Sequence, residues 1–306
     1  SGMASASASI AGADVDALAA PERLAALERR TRHALRGALD ALDAPTVPTG
    51  SYRVAIDHAL AKGLAHEAIG HLCESDVDTS VFFRDGRLRL GERVGAPNVS
   101  VVDAPIPGDY AYQAISANGL DRRDAVLVER GVLVGGLADL FSAGSAGIPA
   151  SGACRAGSFR ERPVPRMTNV RIVVDDAVPL DAPPDAIEPE QAASALRRAG
   201  LLGEGGPPIL YLAGYRGGQA DPRRGDFVLA AAVAYDLADG SAPHSGATLS
   251  GPAARILETV LAGIGPLQLD AVGTCVKDGW PVSSSGGSHA LLVLEASPHL
   301  TVGGTT

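Results

Sequence analysis

One short stretch limits what this chain can be: Leu64-Ala65-His66-Glu67-Ala68-Ile69-Gly70-His71-Leu72-Cys73-Glu74-Ser75-Asp76. Its centre reads H-E-x-x-x-H. Two imidazoles on one helix can bind a metal, and a glutamate beside the first can take a proton from metal-bound water, as in zinc hydrolases. The second histidine lies one residue further along than in the common H-E-x-x-H spacing. On a regular α-helix, positions i and i+5 lie about 140° apart, against about 40° for i and i+4. His66 and His71 therefore face one ion only if the helix is distorted. A π-turn, with its i→i+5 bonding, returns them to one face. Gly70, inside the span, removes a side chain that could clash there. The spacing thus predicts a π-turn or local unwinding between His66 and His71. Glu74 and Asp76 follow, placed to accept hydrogen bonds from the histidine ring N–H groups.

The rest of the chain reads as an α+β fold: a β-rich, mostly antiparallel sheet domain with a metal-binding helix and a long N-terminal helix. Residues 1–18 are Ala- and Ser-rich and are expected to be loose, Ser1-Gly2-Met3 having the form of a tag remnant. A single domain is expected over 19–306, opened by a leading helix and linker over 19–47. Leu24, Leu27, Leu35, Leu39 and Leu42 recur at helical spacing, with Arg29, His33, Arg36 and Asp40 on the other side. They predict a scaffold helix from Pro21 to Leu42. Ser51 to Ile56 reads as a strand, followed by the metal helix from Asp57, a plausible N-cap, to Cys73. Strands are expected over 94–102, 125–134, 169–174, 209–213, 226–235 and 290–295. Glu129-Arg130-Gly131 and Asp239-Gly240 mark tight turns. Two further helices are expected, Glu188 to Ala199 and Ala253 to Ala262, with an exposed loop from Val178 to Pro189.

Composition narrows the function classes. The net charge is −9 with no long basic run, so nucleic acid is not an expected partner. No apolar run reaches 18 residues, so no membrane-spanning helix is expected. The N-terminus lacks a basic region followed by an apolar core, so no signal peptide is expected. Three cysteines, Cys73, Cys154 and Cys275, without framework spacing suit a reducing compartment, and the expected location is the cytoplasm.

A zinc site with two histidines needs a third protein ligand. Cys275, Cys73, Cys154, His244, His289, Glu74 and Asp76 are all chemically able to serve.

The stretch His66-Glu67-Ala68-Ile69-Gly70-His71, with Glu74 and Asp76, resembles the metallopeptidase motif of the TldD/PmbA family, once called modulators of DNA gyrase. Further blocks follow in family order. They are Gly91-Glu92-Arg93-Val94 with Val99-Ser100-Val101-Val102-Asp103; Pro165-Arg166-Met167-Thr168-Asn169; and Arg216-Gly217-Gly218-Gln219 with Gly225-Asp226-Phe227. Gly273-Thr274-Cys275 with Lys277-Asp278-Gly279 and the terminal Val302-Gly303-Gly304 complete them. The resemblance covers about residues 48 to 304. It favours Cys275 as the third ligand, although Val276 stands where the family has glycine. It implies a Zn2+-dependent, TldD-like catalytic member, acting on peptides or flexible protein segments. It also implies pairing, as a homodimer or with a PmbA/TldE-like subunit. The long N-terminal α/β domain usual in TldD-like proteins is mostly missing before His66.

The expected chemistry follows. Zinc on His66, His71 and Cys275 activates water, and Glu67 is the general base. The substrate adds as an extended strand to an edge near Gly214 to Asp221, with Arg216, Gly217 and Gly218 contacting it. His289, in the Ser- and Gly-rich run 283–289, is expected on a flexible loop able to touch substrate. Two other readings are a non-proteolytic amide hydrolase in a natural-product or thiol-adduct pathway, and an inactive binding subunit.

Overall fold

The fold was analysed as a computed structural model, which describes residues 3–203 and 205–304. A thirteen-stranded sheet carries the molecule. Its continuous path runs through strands Thr301–Gly304, Ala247–Pro252, Asp226–Asp236, Ile209–Asp221, Arg53–Asp57, Trp280–Leu294, Asn169–Val174, Val99–Ala104, Ala125–Glu129 and Val132–Leu133. Neighbours are antiparallel except Arg53–Asp57 on Ile209–Asp221 and Asn169–Val174 on Trp280–Leu294. The expected α+β class with a mostly antiparallel sheet is what the chain adopts.

At its centre the sheet is buried on both faces. In Arg53–Asp57 alternate side chains point to opposite faces. Val54 and Ile56 join the core beneath the metal helix, whereas Ala55 joins the core on the other face. Helices Pro21–Leu42 and Pro189–Arg198 cover that second face through Ala41, Ala192, Ala195 and Leu196. Within the stretch expected to be loose, Val15–Ala19 forms a short helix whose first turn is capped by Asp14.

Three departures from the sequence reading have clear causes. The strand expected over 94–102 begins only at Val99, directly after Pro97-Asn98, because proline cannot donate to a ladder. The helix expected over 253–262 shrinks to Ala253–Ile256 and one 3₁₀ turn, Leu257–Thr259. From Val260 the chain instead pairs as a strand with Trp280–Leu294, and the tertiary partner overrides helical spacing. The run Ser283–His289 is not a loop: it is the middle of the 15-residue strand Trp280–Leu294. There a Cβ on Gly286 would stand 1.9 Å from the Val170 carbonyl oxygen, and one on Gly287 1.8 Å from that of Gln268. Small residues mark close backbone approach here, not flexibility.

Candidate metal centre

The strand Arg53–Asp57 delivers the chain into a helix that begins at His58. Asp57 caps it, its carboxylate accepting from Leu60 N–H at 2.8 Å and from Gly214 N–H at 2.7 Å. The helix runs as α-helix to Leu64, as π-helix over Ala65–Gly70 and as 3₁₀ over His71–Cys73. The distortion that the H-E-x-x-x-H spacing demands is present. With it the His66 and His71 rings meet edge-to-face, centroids 4.8 Å apart. Gly70 is needed for packing, because a Cβ there would stand 1.9 Å from Met167 Sδ.

Cys275 arrives from the strand Gly273–Lys277. Its Sγ lies 3.7 Å from His71 Nε2, and one ligand atom from each of His66, His71 and Cys275 falls within 4.8 Å of the others. Cys73 and Cys154, also weighed as ligands, are buried elsewhere, as is His289. Arg166, almost wholly buried, donates to the Cys275 and Trp280 carbonyls and clamps this strand. Its neighbours are engaged too. Met167 packs on Gly70, Thr168 N–H donates to Asp103, and Asn169 donates to the Leu269 carbonyl and Ser285 Oγ. The Pro165–Asn169 block is thus a brace that presses the cysteine strand against the π-helix, a role the sequence did not reveal.

The charges suit a cation. His71 Nδ1 lies 3.2 Å from the buried Glu74 carboxylate, leaving Nε2 toward Cys275. Lys277 Nζ bridges Glu74 at 2.9 Å and Asp76 at 2.7 Å. Burial opposes ionisation of Glu74, but His71 and Lys277 outweigh it and hold the carboxyl below its ordinary range. Burial disfavours a proton on His71, yet Glu74 and Cys275 outweigh it and raise its pKa well above the usual value. His66 is pushed well below the histidine range by burial, with Lys62 and His71 adding to the effect. It is therefore neutral, and its buried Nδ1 has no hydrogen-bond partner among the described residues. Three convergent N and S donors, one of them a thiol, fit zinc better than magnesium or calcium, which prefer oxygen.

Glu67 stands in the same cleft, its pKa raised by burial against the pull of His71 and Lys62. The cleft, about 390 Å³, is lined by His66, Glu67, His71, Cys275 and, from the facing strand, Gly218 and Gln219. That strand, Ile209–Asp221, pairs with Arg53–Asp57 only as far as Leu212. Beyond it, its second edge meets no strand among the described residues; the Gly214 N–H is taken by Asp57, and the edge expected near Gly214 to Asp221 is without a strand partner from Tyr215 onward. Gly217 sits at a bulge with φ 137°, while the Arg216 side chain is exposed and does not line the cleft. His289 is not brought to the site. Its ring is buried between the Gly265 carbonyl, 2.8 Å from Nδ1, and the Val174 backbone, 3.1 Å from Nε2. Lys62 was not singled out in the sequence, since a lone lysine carries no pattern, and Lys277 stood there only within a matched block with no role attached.

A neutral histidine, a second histidine held by a carboxylate and a cysteine, with a glutamate in the same cleft, form a cluster that could hold a metal ion. Residues 49–269 match the PmbA/TldA metallopeptidase C-terminal domain family, and the chain belongs to that family. It is 32% identical over 269 residues to a metalloprotease of Methanocaldococcus jannaschii, covering 86% of this chain and 53% of the relative. It is 28% identical over 281 residues to a Haemophilus influenzae metalloprotease TldD homolog, covering 90% and 52%. Among solved structures, TldE from Thermococcus kodakarensis shares the fold with a TM-score of 0.61 at 14% identity, over 91% of this chain and 56% of that one. The chain spans about half the length of the curated relatives it matches.

Proposed function

We propose that this chain is a zinc-dependent peptidase that hydrolyses peptide bonds in unstructured peptides or flexible protein segments. The observation that carries the reading is the meeting of His66, His71 and Cys275 beside Glu67, at the foot of an open strand edge. Zinc held by these three residues supplies Lewis-acid activation of water and of a carbonyl. Glu67, with its pKa raised by burial, accepts the proton of the attacking water and returns it to the departing amine. Glu74 orients His71, and Lys277, itself paired with Asp76, holds Glu74. The substrate extends along the edge past Gly214, where backbone pairing requires no particular side chain and favours unfolded segments.

The names of the relatives and the TldE-like fold support a paired assembly, with a PmbA/TldE-like subunit or a second copy as partner. Among the described residues no helix is long and apolar enough to cross a membrane, and the three free cysteines suit the cytoplasm. The test is Glu67→Gln. Its zinc content should equal that of the unaltered chain, while turnover of an unstructured peptide should fall by about 10²- to 10⁴-fold. Unchanged turnover would contradict the reading.

A further inference from the structure

Behind the metal cleft lies a second cavity, about 140 Å³, between the leading helix, the start of the metal helix and the strand Ile209–Asp221. It is roughly the space of four to five waters, enough for a small side chain. Two residues one helical turn apart, His58 and Lys62, face it from the metal helix. Its other charged groups have partners. The two oxygens of Asp57 take the Leu60 and Gly214 N–H groups. Asp185 is paired with Arg29, Arg30 with Asp270, and His33 with Glu188.

Lys62 differs from these. Its side chain is almost wholly buried, only 4% of the residue exposed, and no carboxylate lies within salt-bridge distance among the described residues. One of its three N–H donors reaches Ser284 Oγ, at 2.9 Å. Burial lowers its pKa and only Cys275 and Glu67, acting from the neighbouring cleft, oppose this, so an anion in direct contact would stabilise the ammonium. His58, buried and kept neutral mainly by desolvation, has no hydrogen bond among the described residues and can still donate or accept.

Only a thin wall separates the cavity from the cleft, and the two share no lining residue. A Cβ on Gly273 would stand 2.8 Å from Lys62 Nζ, and the next two residues, Thr274 and Cys275, line the cleft. Tyr215 forms the other part of the wall. It lines the cavity, and a Cβ on Gly218 in the cleft would stand 3.0 Å from its hydroxyl.

We infer that this cavity binds a carboxylate of the substrate, held by Lys62 with His58 as a second polar contact, so that the site prefers acidic amides. The inference rests on the peptidase reading for the word substrate, but the cavity's affinity for carboxylate does not. The first experiment therefore omits the metal, which would itself bind carboxylates. Glutarate and its neutral counterpart glutaramide are titrated calorimetrically into the metal-free chain. Glutarate should bind at least tenfold more tightly, and Lys62→Met, checked for folding by its melting curve, should lose that preference. Equal affinity for the two compounds on the unaltered chain, which needs no variant, would overturn the proposal.

The second experiment asks where the carboxylate resides. On the zinc-loaded chain, C-terminally amidated peptides carrying Glu should show a KM at least tenfold below their Gln counterparts, again lost in Lys62→Met. A preference confined to peptides with a free C-terminus would place the carboxylate at the chain end. Indifference to both would overturn a substrate role. No turnover of any peptide, with glutarate binding intact, would strike the peptidase reading and leave the cavity standing.

Discussion

Two helices of this chain were equally legible as helices, yet they are held in opposite ways. The metal helix is buried on nearly every side: Leu60, Ala61, Leu64, Ala65, Ala68 and Ile69 are inaccessible to solvent. The leading helix, Pro21–Leu42, turns its leucine stripe outward, with Leu24, Leu35, Leu39 and Leu42 all exposed. It docks through small residues, Ala26, Gly37 and Ala41, and through ion pairs. Arg29 reaches Asp185, Arg30 reaches Asp270, and Arg36 reaches Glu188 and Glu190. Hydrophobic spacing reveals that a helix exists. It does not reveal which face meets the protein when arginines find carboxylates on other elements and glycine allows close approach.

The contrast can be broken most forcefully at Gly70. Gly70→Ala drives a methyl into Met167 and should cost about 1–3 kcal/mol by overpacking, read from the urea midpoint. Adding Met167→Ala should recover part of that loss, since the two side chains would then no longer compete. If Gly70→Ala is neutral, the tight packing of the π-turn is wrong.

Glu188 tests the electrostatic docking of the leading helix. Its hydrogen bond to His33 lowers its pKa against burial, with Arg36 helping. A carboxyl depressed in the folded state adds stability above its unfolded pKa of about 4.3, and that contribution disappears as pH falls through the lower folded value. The melting-temperature gap between the unaltered chain and Glu188→Gln should therefore be widest above about pH 5 and close on acidification. A gap that widens in acid would contradict the pairing. Because these groups are partly exposed, salt should also narrow it.

The smallest effect belongs to the outward stripe. Leu39→Ser should change stability by no more than about 0.5 kcal/mol, as surface substitutions do. A loss of about 2 kcal/mol or more would mean that the side chain is buried against this chain, as core leucines are.

Much of the site could be read before the fold. His66, Glu67, His71 and Glu74 come from one contiguous segment, and the i+5 spacing itself required the π-turn that forms. Cys275, over two hundred residues away, needed the family resemblance, because spacing alone left seven possible ligands. Arg216 and His289 were misplaced for different reasons. The first is turned outward at a bulge, and the second sits in a strand whose serines and glycines resemble a loop. Lys62, Lys277 and the brace of Arg166 and Met167 depend on contacts between distant segments, which no local pattern encodes.

The central claim is that His66, His71 and Cys275 hold one metal ion within this chain. Metal content of the purified protein, measured by mass spectrometry beside Cys275→Ala, tests it directly. The account predicts about one zinc per chain, lost in the variant. No zinc after reconstitution, or equal zinc in Cys275→Ala, would contradict it.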